Sequence, residues 1–206
     1  GATVTASNDD WSTNDNVALI RGTAVRVGAF NLADSAADSA LMSTLASGAY
    51  TVQLSGKDAT GGTALVEVYD AAAANGARLV NLSVRARIGA GAEAPNVGFV
   101  IAGTTPKRVL LRAVGPTLGA FGVTDAIADP QLELFHGDTR VSQNDNWGGG
   151  ADLTATFAQV GAFGFADASS RDAVMVTTLN PGAYTVVVSG VNESSGIGLV
   201  ELYELP

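Results

Sequence analysis

The sequence predicts an all-β protein of two related antiparallel, jelly-roll-like β-sandwich modules, the first truncated at its front. Three observations lead there. A long stretch of the chain occurs twice, apolar residues alternate with period two inside the repeated stretch, and Gly-rich turns separate the runs.

The repeat is read directly. "DSALMSTLASGAYTVQLSG" (38–56) recurs as "DAVMVTTLNPGAYTVVVSG" (172–190), and "GTALVEVYD" (62–70) as "GIGLVELYE" (196–204). "VGAF" stands at 27–30 and again at 160–163, and "GATVTASNDDW" (1–11) aligns with "GDTRVSQNDNW" (137–147). Tyr50 to Tyr184 and Tyr69 to Tyr203 share an offset of 134. Residues 1–70 and 137–204 are therefore two copies of one stretch, while 71–136 occurs once.

Within both copies the pattern is that of strands. Tyr50, Val52 and Leu54 alternate with Thr51, Gln53 and Ser55, as a half-buried strand requires, and "ALVEVYD" and "GLVELYE" repeat the alternation. In the single stretch, "RLVNLSVRARI" (78–88), "NVGFVIAG" (96–103), "KRVLLRAVG" (107–115) and "PQLELF" (130–135) read as four more strands. About five strands per copy and four between them suit a sandwich of eight or nine strands per complete unit. The expected division is an incomplete module over 1–76 and a complete one over 77–206. Helix is expected to be minor, with single turns at 119–128 or 151–159 and a linker at 71–77.

Composition narrows the function classes. Hydrophobic residues make up 47% and charged residues 15%, which argues against a disordered chain. The formal net charge of −9 and the scarcity of Lys argue against nucleic acid or an anionic membrane as partner, and no apolar run is long enough to span a bilayer. The absence of Cys excludes disulfides, zinc–thiolate sites and thiol catalysis. Gly1 in place of Met, with no basic leader, predicts a processed or excised chain.

Catalytic chemistry finds little to work with. The single histidine, His136, lies in "LFHGD" at a strand-to-turn junction, and there is no G-x-S-x-G elbow to make it a triad base. "GAGAEA" (89–94) and "GTTPKR" (103–108) lack phosphate-loop spacing. Glu67 and Glu201 are single acids in separate copies, expected to face solvent. No enzyme activity and no cofactor are expected. "NLS" (81–83) and "NES" (192–194) fit the glycosylation pattern, which short matches often do by chance.

Two Asn-Asp-x-Trp boxes remain. Asn8, Asp9, Asp10 and Asn144, Asp145, Asn146 offer the short oxygen ligands that calcium favours in a loop. The same residues favour turns because their side chains bond nearby backbone, and Trp11 and Trp147 can cap a core instead of stacking on a sugar. Both readings stay open at this point.

The module "NDNW…DAVMVTTLNPGAYTVVVSG…GLVELYE" resembles the bacterial pre-peptidase C-terminal domain family. The longer unit, with "RLVNLS", "KRVLLRAVGPTL" and "PQLEL", is similar to tandem repeats of large secreted bacterial surface proteins. These resemblances imply a β-sandwich, an extracellular or cell-surface location, a non-catalytic role and, in some members, calcium.

The half-unit adds an expectation of its own. A sandwich cut through its middle leaves strand edges open to pairing with another chain. The chain is thus expected to be a secreted structural subunit that assembles head-to-tail with copies of itself by strand complementation. Residues 1–7, 78–115 and 197–206 are the candidate interface segments. The alternative is a non-catalytic module binding polysaccharide or cell-surface material through Trp11 or Trp147.

Overall fold

A computed structural model describes residues 3–72, 78–89, 91 and 94–206. The chain divides into two compact units, Gly1–Leu79 and Val80–Pro206. Residues 73–77, most of the stretch read as a linker, lie outside the described residues.

The second unit is an antiparallel β-sandwich of eight strands. They are β1 (Asn81–Ile88), β2 (Asn96–Ile101), β3 (Lys107–Val114), β4 (Pro130–His136), β5 (Thr139–Asn144), β6 (Ala173–Leu179), β7 (Gly182–Gly190) and β8 (Gly196–Glu204). One sheet has the order β1-β8-β3-β6 and the other β2-β7-β4-β5. Alternation decides the faces: Tyr184, Val186 and Val188 of β7 and Leu132 and Leu134 of β4 are buried, with their odd-numbered or even-numbered neighbours turned outward. They meet Val109, Leu111 and Ala113 of β3 and Val200 of β8 in the core between the sheets. Each such Val or Leu stabilises by about 1.5–3 kcal/mol on burial.

A second core lies on the outer face of the β1-β8-β3-β6 sheet. There Leu110, Val174, Tyr203 and Leu205 pack with Phe157 and Ala162. Phe157 comes from a helix at Ala151–Val160, which ends at Gly161 in the left-handed conformation (φ 72°) that glycine adopts without a steric penalty. This helix is longer than the single turn expected from the sequence. Because both faces of β3 are covered, every residue from Val109 to Val114 is buried, Arg112 included. Close packing also explains Gly198, where a Cβ would lie 2.1 Å from Ile88 Cδ1.

All six strand pairings follow one rule. β1 pairs with β8, β2 with β7, β3 with β6 and β8, and β4 with β5 and β7. Every ladder joins a strand of the front segment, 81–136, to a strand of the back segment, 139–204. Among the described residues no back strand pairs with another back strand. β8 is central, between β1 and β3, so residues 197–204 present no free edge, contrary to their reading as an interface segment.

The first unit is a copy of the back segment alone, and it is organised accordingly. It contains an α-helix at Val17–Val27, the counterpart of 151–160, and a tight turn at Lys57–Ala59, the counterpart of Val191–Glu193. The turns match in detail: Asp58 and Asn192 both have φ 53°. Among its described residues, however, none enters a β-ladder. The strands expected at 50–56 and 64–70 are thus not formed. The physical reason is the pairing rule: their counterparts β7 and β8 lie in different sheets and are laddered only to front strands, which 3–72 does not contain. β-propensity is expressed only where a partner strand exists.

Candidate functional site

The consequence of missing partners is visible in burial. Tyr50, Val52 and Leu54 are 50%, 69% and 55% exposed, whereas their counterparts Tyr184, Val186 and Val188 are 7%, 2% and 0% exposed. Leu41, Leu45, Val66 and Tyr69 are likewise exposed, and their counterparts Met175, Leu179, Val200 and Tyr203 are buried. Residues 3–72 therefore carry half of a sandwich core without its other half.

Polar groups sit in the same arrangement. In the complete module two carboxylates are buried, Asp172 and Glu201, and both face one stretch of the front segment. Asp172 accepts hydrogen bonds from the backbone N–H of Gly115 at 2.7 Å and from the Thr117 hydroxyl at 2.5 Å, and also bonds the Ser170 hydroxyl. Glu201 lies 3.2 Å from Arg112 Nε and accepts the Tyr203 hydroxyl at 2.8 Å. The Arg112 guanidinium sits 4.5 Å from each of the ring centroids of Phe157, Phe163 and Phe165. Among the described residues no group hydrogen-bonds its nitrogens in good geometry, so the ion pair and the ring faces compensate its burial.

The electrostatics follow from burial. Desolvation pushes the Glu201 carboxyl up, against the pull of Arg112 and the Tyr203 hydroxyl. Desolvation draws Arg112 down from its ordinary value, against the attraction of Glu201. Tyr203 is pushed up, first by burial and then by its bond to Glu201. The expectation that Glu201 faces solvent is corrected: both faces of β8 are covered, so its outward-facing carboxylate is buried too.

In the first unit the counterparts of these acids are Asp38 and Glu67, and both are exposed. Tyr69 already donates to Glu67 at 3.0 Å, reproducing the Tyr203–Glu201 bond. Phe30, the counterpart of Phe163, is 57% exposed. The acids, the tyrosine and Phe30 are kept, while Ala24 and Leu32 stand in the places of Phe157 and Phe165.

The Asn contacts of the Asn-Asp-x-Trp boxes match in both copies, and the two Trp indoles donate to carbonyls one position apart in the repeat. Asn144 Oδ1 accepts the Val174 N–H at 2.9 Å, as Asn8 Oδ1 accepts the Ala40 N–H at 2.9 Å. Asn144 Nδ2 donates to the Asn146 carbonyl and Asn8 Nδ2 to the Asp10 carbonyl. The Trp147 indole donates to the Asp167 carbonyl at 3.1 Å, the Trp11 indole to the Ala33 carbonyl at 3.0 Å. Each box thus clips a loop to the start of the following segment. Asp9 forms an ion pair with Lys57, while Asp145 and Asn146 are exposed. Among the described residues, no three or more His, Asp or Glu side chains are grouped to hold a metal ion. Trp11 is 2% exposed, and Trp147 is half-buried against Phe157 and Phe165.

His136 is exposed at the end of β4 and stacks on Tyr184, with ring centroids 4.9 Å apart. No helix among the described residues is long and apolar enough to cross a membrane.

No known family profile matches the chain, and no curated protein does. Among solved structures, the chain is similar to the pre-peptidase C-terminal domain of a collagenase from Bacillus anthracis. The identity is 13% and the TM-score 0.35, over 61% of this chain and 89% of that one. The two four-stranded sheets themselves, not that likeness, establish the fold.

Proposed function

We propose that the chain belongs to a secreted bacterial structural protein built from repeated sandwich modules. In it, the back half of one module is completed by the front half of another, joining modules head-to-tail into a fibre or surface layer. The observation that supports this reading is the pairing rule: every ladder of the complete module runs between front and back halves, and the apolar residues of the first back half, Tyr50, Val52, Leu54 and Val66 among them, are exposed. Strand addition of this kind supplies main-chain hydrogen bonds for affinity and side-chain pockets for specificity. A heterologous contact of that type propagates unless it closes into a ring.

The purified chain exposes the apolar residues of its first back half and is expected to self-associate through them. Light scattering should show mass rising with concentration, negative-stain images should show extended assemblies, and Val52→Asp or Val66→Asp should reduce both. A monomer across the whole concentration range contradicts the proposal. A polysaccharide-binding role has less support, because Trp11 is buried and Trp147 packs on Phe157 and Phe165.

A further inference from the structure

We infer that Asp38 and Glu67 form a two-acid socket for one specific element: a strand and turn of the form Arg-Ala-Val-Gly-Pro-Thr, carried by a front half of this repeat. The inference rests on the complementation reading and names what the open half recognises. In the complete module, residues 112–117 have this sequence, and they supply every front-half group that the two buried carboxylates touch. Arg112 meets Glu201 at one end, and the Gly115 N–H and Thr117 hydroxyl meet Asp172 at the other.

The first unit holds the same acids at equivalent positions, with the Tyr69–Glu67 bond already made and Phe30 as the counterpart of Phe163, the one ring of the three around Arg112 that is retained. The turn also carries its own steric signature. A Cβ at Gly115 would lie 2.3 Å from the Ile127 carbonyl oxygen, so the element fits only with glycine there. The pairing sets register. A slip of one residue would turn the arginine to the opposite sheet face, away from its acid, and leave a buried charge unpaired. Apolar alternation alone would tolerate a slip of two, and the two acids, reached at fixed separation along the element, do not.

The experiment extends the full chain with a second copy of residues 78–136 joined to Gly1, as residue 136 is joined to Gly137. The expected result is a second sandwich: amides at Val52, Leu54 and Val66 gain the exchange protection of Val186, Val188 and Val200. In that extended chain, Glu67→Gln should lower the unfolding midpoint of the new module by about 10 °C, leaving the 80–206 module in place. Combining Glu67→Met with Arg112→Met in the added copy only should recover most of the loss, since replacing both members of a buried pair is near neutral. A new module whose midpoint is indifferent to Glu67→Gln overturns the arginine socket and leaves complementation standing. No gain of protection at all overturns both.

Discussion

Arg112 and Glu201 meet 3.2 Å apart on neighbouring central strands, their side chains 0% and 5% exposed. One comes from the front segment and one from the back. A buried ion pair is weak evidence of stability in itself, but removing Arg112 leaves Glu201 buried without a counter-ion. Arg112→Met is therefore expected to destabilise the 80–206 module by about 3–5 kcal/mol, and the double change with Glu201→Met to return it close to the starting value. Chemical denaturation of the two variants measures this. Equal losses in the single and double variants would contradict it.

The clip of Asn144 on the Val174 N–H predicts a smaller effect. Asn144→Ala leaves that N–H and its own lost bonds unsatisfied at the start of β6, and should cost about 1–3 kcal/mol. Asn144→Asp keeps the acceptor and should lose less. Thermal unfolding of both variants separates the contributions.

Because both Asn side chains bond backbone groups, the boxes are expected to keep their shape without a cation. Chelation should leave the unfolding midpoint unchanged. A midpoint that rises with added calcium would assign the boxes a ligand role, through the linkage of binding to folding.

The alkaline limb of stability is set in part by Tyr203. Its phenol is held above the ordinary value of 10.0 by burial and by the bond to Glu201, so the folded module keeps a proton that the unfolded chain releases. This contribution is complete below pH 10 and is lost as pH rises beyond it. Tyr203→Phe should flatten the fall in stability above pH 10, read by denaturation at stepped pH. An unchanged limb would contradict the assignment.

Much of the fold is legible in local pattern. The alternation of "YTVVVSG" and "GLVELYE" marks β7 and β8, and the repeat marks the module. The helices are less legible. Val17–Val27 contains Gly22 and several β-branched residues, which favour helix weakly. The burial of Arg112 and Glu201 cannot be read from either strand alone, because each looks like the polar face of an amphipathic run. The absence of ladders in 3–72 is hidden for the opposite reason. "YTVQLSG" carries the same alternation as its buried counterpart, and only the pairing rule, a tertiary property, tells them apart.

Hydrogen exchange on the unmodified chain tests the central claim most directly, that back-half strands form only against front-half strands. The amides of Val186, Val188 and Val200 should exchange near the global unfolding limit, and those of Val52, Leu54 and Val66 about a thousandfold faster or more. Equal protection in the two copies would contradict the account.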